Sequence, residues 1–226
     1  MGKTQALRDG LDAVLAVALG ASCAACGELL EHPSHGPVCG VCWRSIAALP
    51  PATFQVSAAL DRAQAIGLHD GPLRSVIHSI KYDGRRSLAT RIAAIMRERC
   101  QWVLDGADIA VPVPLHASRR RERGFNQALD LARGLGLPVS RSLRRVRMTE
   151  SQTGLSGPDR RRNVRGAFAP SRLRSRRTPV HGRVVVLVDD VSTTGATLEA
   201  CAGVLRAIGA AEVRAITAAR VVSSQP

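Results

Sequence analysis

Two adjacent carboxylates stand directly before a hydroxyl-rich loop near the end of the chain. Asp189 and Asp190 follow the apolar run Val184–Val188, and a Ser/Thr/Gly segment comes next. Apolar residues at helical spacing follow that segment, so the loop lies at a predicted helix N-terminus. Backbone N–H groups and hydroxyls in such a place suit one phosphate group. The residues predicted to form this cradle are Ser192, Thr193, Thr194, Gly195, Ala196 and Thr197.

The two acids must contact something other than the phosphate, because a carboxylate repels a neighbouring anion. The vicinal hydroxyls of a ribose, or a divalent cation, fit the charge and position of Asp189 and Asp190. The sequence has neither the GxxxxGK[ST] pattern of a Walker A loop nor a GxGxxG fingerprint before a helix. The alternative without a ligand is a capped helix that follows an acidic strand end.

Four of the six cysteines form two Cys-x-x-Cys pairs. Cys23 and Cys26 are followed, after twelve intervening residues, by Cys39 and Cys42. Two such pairs can present four thiolates in the tetrahedral geometry that zinc prefers. The glycines and prolines between them could not fill a core, so a structural zinc ion would have to stabilise the module. The alternatives are two disulfides in a secreted module, or replacement of one ligand by a histidine of the intervening segment.

The acidic pair belongs to a strand, loop, helix, strand unit. Val184–Val188 predicts a central parallel strand, and Val213–Val221 predicts another. A helix between them is indicated by its apolar positions, Leu198, Cys201, Leu205 and Ile208, and by the closing Gly209. Such units build an open parallel sheet flanked by helices, which bind ligands beyond the carboxyl ends of the strands. The predicted fold class is therefore α/β.

The preceding part of the chain supplies further elements of the same kind. Strands are predicted within 56–69, 109–113 and 139–146, and helices within 71–81, 88–103 and 125–135. Prolines at 112 and 114 end the strand at 109–113, so a rigid loop follows at its carboxyl end.

Length and composition suggest two unequal parts. The 226 residues suit one α/β domain with a small accessory module. The proline-containing segment before residue 52 marks a boundary, so we expect an N-terminal helix and zinc module at 1–52 and the α/β domain at 53–226. Residues 147–182 are basic and lack periodicity, and a connection this long is typically functional or mobile.

The net charge of +14 is concentrated in one segment. Residues 119–183 contain 18 arginines and four acids, so they carry the whole of it. This distribution favours a polyanionic ligand, either a small polyphosphate or a nucleic acid. Aromatic residues make up only 3% of the chain, which disfavours single-strand binders of the OB or RRM type.

The first thirty residues predict no membrane span, because their longest apolar run is Ala13–Ala21. Leucines at helical spacing and two acids favour an amphipathic helix there over a signal peptide. Cysteines arranged as metal ligands favour a reducing compartment, so we expect a cytoplasmic protein.

The chain resembles the ComF family of competence-related proteins, which includes the GntX group. The stretch Val186–Leu198 is similar to the phosphoribosyl pyrophosphate (PRPP) signature of type I phosphoribosyltransferases. The other matching segments are the paired Cys-x-x-Cys motifs, Lys81–Gly84, Val111–His116, Arg123–Gln127, Gln152 and Arg162-Asn163. The resemblance thus spans nearly the whole chain, with the cysteine pairs and the Arg-Gly-Phe-Asn-Gln segment narrowing it to this family.

This resemblance implies a type I phosphoribosyltransferase-like fold and a PRPP site. Asp189 and Asp190 would hold the ribose hydroxyls, and residues 192–197 the 5′-phosphate. The loop at 112–116, with Val113 and Pro114, would correspond to the pyrophosphate loop. The segment around 147–165 would close over PRPP and Mg²⁺.

Two functions follow from the resemblance and the charge. One is transfer of a phosphoribosyl group to an unidentified acceptor, for which the sequence offers no convincing protein base or nucleophile. The other is binding of single-stranded DNA through the arginine-rich surface during DNA uptake, with a helicase-like protein as a possible partner.

Overall fold

The computed structural model describes residues 20–53, 59–148, 164–171 and 180–222. Its main sheet has five strands in the order β1-β2-β7-β6-β3. Their bounds are β1 Ala52–Thr53, β2 Arg62–Leu68, β3 Ile109–Pro112, β6 Val184–Ser192 and β7 Glu212–Arg220. The edge strand β1 is antiparallel to β2, and the other four strands are parallel. The predicted α/β class with an open parallel sheet is confirmed.

The described residues form seven α-helices and a short 3₁₀ turn at Pro33–His35. The helices are α1 Gly40–Ala47, α2 Gly71–Tyr82, α3 Ser87–Arg99, α4 Gln101–Leu104, α5 Ala117–Arg123, α6 Gln127–Arg133 and α7 Ala196–Ala207. The predicted helix at 71–81 is confirmed, whereas the one expected within 88–103 is divided at Cys100 into α3 and α4. Helix α5 was not predicted, because its seven residues bury none of their side chains and so show no apolar periodicity.

The central strand β6 carries a separate hydrophobic cluster on each face. Val186 and Val188 pack with residues of α2, α3 and α6. Val185 and Leu187 pack instead with residues of α7 and with the small sheet described next. Because successive side chains of a strand point to opposite faces, the same alternation separates the two acids that follow.

A second, two-stranded sheet covers one of these faces. Strand β4, Leu143–Arg145, pairs antiparallel with β5, Phe168–Pro170. The strand predicted within 139–146 is therefore shorter than expected. Strand β5 lies inside the basic segment 147–182, for which no strand was predicted, because three residues are too few to show an alternating pattern. The rest of that segment falls largely outside the described residues.

The cysteine-containing region packs directly on the sheet domain. Trp43 and Ile46 of α1 belong to the same buried cluster as Leu73 and Ile77 of α2. The boundary at residue 52 stays a prediction, and the helix predicted near the N-terminus falls on residues 1–19, outside the described part of the chain. Within the described ranges, no helix is both long and apolar enough to cross a membrane.

Candidate functional site

The acidic pair and the hydroxyl-rich loop lie at the carboxyl end of the central strand. Strand β6 continues through both acids to Ser192, and α7 begins at Ala196. Gly195 has φ of +78°, a left-handed conformation that a glycine adopts without strain. A Cβ atom at this position would meet nothing within 4 Å, so the loop is open on that side.

The loop residues differ in how much of their surface is exposed to solvent. Thr193, Thr194 and Thr197 are half-buried, while Ala196 is buried at the helix start. Ser192 is also buried, and its Oγ has no hydrogen-bond partner among the described residues. The hydroxyl groups near the surface are therefore those of the three threonines, and the backbone of Gly195 lies beside them.

Asp190 lies on the face of β6 that packs against α2 and α6. Its Oδ2 is 2.5 Å from Nζ of Lys81, the penultimate residue of α2. The same oxygen accepts a hydrogen bond from Nε2 of Gln127 at 3.4 Å, while Oδ1 accepts from the N–H of Val191 at 2.8 Å. Gln127 Oε1 in turn accepts from Arg123 at 2.8 Å. Asp190 therefore connects two cationic side chains to the end of the strand.

Asp189 lies on the opposite face and has different neighbours. Its Oδ1 accepts a hydrogen bond from the N–H of Asp190 at 2.9 Å. Although the side chain keeps some exposed surface, it lies deep among other atoms, and this desolvation raises the pKa of Asp189 to about 7. The positive charges of Lys81 and Arg145 oppose the rise. The two acids are thus held in different environments.

Cationic side chains from outside β6 complete the site. They are Lys81 of α2, Arg119 and Arg123 of α5, and Arg145 of β4. Burial lowers the pKa of Lys81 to about 8; Asp189 opposes this decrease, while Arg123 and Arg119 of α5 contribute to it. On the other side, burial also lowers the pKa of Arg145 of β4, with a contribution from Arg119. Cations from three elements therefore surround two carboxylates.

The loop that follows β3 runs beside the end of β6. The N–H of Val113 donates to the carbonyl of Val188 at 2.9 Å, which extends the ladder past Pro112. The carbonyl of Val113 accepts from Nδ2 of Asn126 at 3.0 Å, and Oδ1 of the same side chain caps α6. Val113 is buried and Pro114 is half-exposed. The structure thus brings the predicted loop next to the acidic pair.

The residues that the sequence did not assign to the site are Lys81, Arg119, Arg123, Gln127 and Arg145. Lys81, Arg123 and Gln127 lie within motifs that support the family resemblance, which was an available signal. No motif distinguished Arg119 or Arg145 from the many other arginines around them in the sequence.

The four paired cysteines converge into one cluster. The Sγ atoms of Cys23, Cys26, Cys39 and Cys42 all lie within 4.8 Å of one another. The Cys23–Cys42 and Cys26–Cys39 sulfur pairs are each 3.9 Å apart, and all four thiols are free. Four thiolates bound tetrahedrally at about 2.3 Å from zinc lie about 3.8 Å from each other. The donor set and its spacing therefore fit one such ion.

Backbone amides already surround one of these sulfur atoms. The N–H groups of Cys39 and Ala25 donate to Sγ of Cys23 at 3.3 Å and 3.4 Å. Burial raises the pKa of the Cys23 thiol, but these and other backbone hydrogen bonds outweigh it and lower the pKa to about 6. The local backbone thus stabilises the thiolate form that a metal requires.

Comparison with known proteins shows similarity to a phosphoribosyl transferase domain and to proteins named for competence or DNA utilization. Residues 122–225 match the phosphoribosyl transferase domain family. The chain is 31% identical over 202 residues to Competence protein F of Haemophilus influenzae, covering 85% of this chain and 81% of that protein. It is 34% identical, with the same coverage, to DNA utilization protein YhgH of Salmonella typhimurium. A solved purine phosphoribosyltransferase from Pyrococcus horikoshii is 19% identical, covers 62% of this chain and 79% of its own, and has a TM-score of 0.37.

Replacing Asp189 by asparagine should stabilise the protein at high pH but not at low pH. The unfolded carboxyl group releases its proton near its ordinary pKa of 3.8, whereas the folded one does so at about 7. The folded state is therefore destabilised as pH rises through that window, and Asp189→Asn removes this loss. Urea unfolding should show a gain on the order of 2–4 kcal/mol at about pH 8 and little at about pH 4.

The exposed Glu98 of α3 provides the matched control, and Glu98→Gln should change stability equally little at both pH values. If Asp189→Asn has the same effect at both pH values, the environment assigned to Asp189 is wrong.

Proposed function

The chain belongs to the ComF family of phosphoribosyltransferase-like proteins, and from this membership we propose that it binds PRPP with Mg²⁺ at the carboxyl end of the main sheet. The observation that carries the proposal is the meeting of two carboxylates, an open loop at a helix N-terminus and several cations at one edge. Each group suits a different part of a donor that has a phosphate, a ribose and a diphosphate.

The loop suits the 5′-phosphate. Residues 192–197 lead from the end of β6 into the start of α7, and Gly195 leaves the approach to this helix N-terminus open. The helix dipole adds only about 0.3–2 kcal/mol, so converging hydrogen bonds must supply most of the binding. The three half-buried threonines lie in the same loop.

The acids suit the ribose hydroxyls but contribute unequally. Both oxygens of Asp190 already accept hydrogen bonds, and one of them also bears the Lys81 ion pair. A carboxylate offers about four acceptor positions, so Asp190 retains limited capacity. Asp189 has one hydrogen bond from the backbone and is the better placed acceptor. We therefore assign the main ribose contact to Asp189 and expect Asp190 to assist it.

The cations suit the diphosphate. The loop carrying Val113 and Pro114 lies beside β6, and Arg119 follows it on α5, while Arg145 approaches from β4. Mg²⁺ bound with PRPP would neutralise part of the diphosphate charge. In a transfer reaction, a nucleophile from the acceptor displaces diphosphate at ribose C1. The chain's part is to hold both ends of the donor and stabilise the leaving charge.

Single-stranded DNA is the second candidate ligand. Arg120 and Arg121 are exposed on α5, next to the cations of the site, and Arg144 is exposed on β4. The names of the two relatives refer to competence and DNA utilization. We propose that this arginine-rich surface binds the DNA backbone during uptake, with a helicase-like partner, and that the chain acts in the cytoplasm.

Calorimetry should show Mg²⁺-dependent PRPP binding that Asp189→Asn weakens at least about tenfold, because the charged acceptor for the ribose is lost. Glu98→Gln should bind as the unmodified protein does. Affinity for a short oligo(dT), measured in parallel, should fall steeply with salt in both variants.

Absence of PRPP binding by the unmodified protein would exclude the first proposal. Salt-independent binding of the oligonucleotide would exclude the second. A panel of bases and nucleosides incubated with PRPP then tests for transfer, with diphosphate release as the readout.

We propose that the cysteine cluster holds one structural zinc ion. Elemental analysis should find one zinc per chain, and a strong chelator should lower the melting temperature, since the buried cluster around Trp43 depends on the module. Cys26→Ser should remove most of the zinc. Cys201→Ala, which changes a buried cysteine far from the cluster in sequence, should keep it. Full zinc content in Cys26→Ser would contradict this assignment.

A further inference from the structure

Next to the acidic pair, a cavity of about 430 Å³ opens between the end of α2 and helix α5. This volume lies in the range of small-molecule sites. Its main lining residues are Lys81, Tyr82, Arg119, Glu122, Arg123 and Phe125. None of the groups assigned above to the 5′-phosphate or the ribose lines it, but Arg119, assigned to the diphosphate, does. The cavity therefore adjoins the proposed PRPP site and shares a cation with it.

Aromatic rings are rare in this protein, yet two of them line this cavity. The chain has six aromatic side chains in all, and Tyr82 is its sole tyrosine. Tyr82 is 66% exposed, which is unusual for a large aromatic residue. Phe125 is mostly buried and forms part of the cavity wall. An exposed ring at a cavity mouth is suited to stack against a planar group.

Both rings are held by cations. The guanidinium carbon of Arg123 lies 5.3 Å from the centroid of the Tyr82 ring, and His78 packs against that ring at 4.6 Å. Arg86 lies 5.0 Å from the centroid of Phe125 and is fixed by two hydrogen bonds to Asp130, at 2.8 Å and 2.9 Å. The position of each ring is thus supported by neighbouring side chains before any ligand arrives.

The charge of the cavity selects for an anion. Lys81, Arg119 and Arg123 outnumber the one acid of the lining, Glu122. Arg123 is fixed by Gln127, which also reaches Asp190, so the cationic wall is anchored to the sheet edge. A ligand that fits this space combines a planar ring with negative charge.

We propose that this cavity binds a nucleotide unit, with its base stacked on Tyr82 and its phosphate beside Arg119 and Arg123. Such a unit has two sources, a free nucleoside monophosphate or one nucleotide of a single strand. The binding does not require PRPP to occupy the neighbouring site, so the inference extends the proposed function without depending on it.

The test uses AMP, a short oligo(dT) and ribose 5-phosphate with Tyr82→Ala and Tyr82→Phe. Loss of a stacking ring should weaken binding of AMP, of the oligonucleotide or of both by about 5- to 150-fold, while Tyr82→Phe stays within about twofold. Ribose 5-phosphate lacks a base, so its affinity should not respond to either change. Loss for AMP alone identifies a free nucleotide as the ligand, and loss for oligo(dT) alone identifies a strand.

The same titrations in an Asp189→Asn background separate this cavity from the proposed PRPP site. Nucleotide binding that persists there and still falls with Tyr82→Ala supports the inference, whatever the outcome for PRPP. Two results overturn it. One is unchanged binding of both AMP and oligo(dT) in Tyr82→Ala, and the other is AMP binding that Asp189→Asn abolishes while Tyr82→Ala leaves it intact.

Discussion

The ion pair between Lys81 and Asp190 holds helix α2 against the end of the central strand. Their charged atoms are 2.5 Å apart and both side chains are largely buried. Removing one member of such a pair leaves an uncompensated buried charge, which costs about 3–5 kcal/mol. The contact continues through Gln127 to Arg123 on α5. Two cations of the site and the lining of the neighbouring cavity therefore depend on one carboxylate.

Strand alternation gives the second acid a different role. Asp190 faces α2 and α6, where its charge is paired, while Asp189 faces the side of Arg145 and stays poorly solvated. A paired carboxylate stabilises the fold, whereas a desolvated one destabilises it progressively as the pH rises from about 4 to about 7. An acid kept in such an environment is characteristic of a functional site. The structure thus separates the architectural carboxylate from the one best suited to a ligand.

Features encoded by short, regular patterns were predictable. The apolar run at 184–188 forms a strand, and the glycine before α7 adopts a left-handed conformation. The two closely spaced cysteine pairs form a sulfur cluster. Each of these patterns involves residues that are near each other in the sequence. The partners of the acids were not predictable in this way. Arg145 belongs to a three-residue strand whose mate lies across a long basic segment, and neither periodicity nor spacing identifies such a pairing.

In the proposed PRPP site, the loop after the acids binds a phosphate while Asp189 contacts the attached sugar. Ribose 5-phosphate carries both groups and lacks the diphosphate, so its titration into ¹⁵N-labelled protein, followed by amide resonances, tests the claim directly. We expect the largest shifts on Thr194, Gly195 and Ala196, because their N–H groups would face the phosphate. Shifts confined to the arginines of α5, with this loop unchanged, would contradict it.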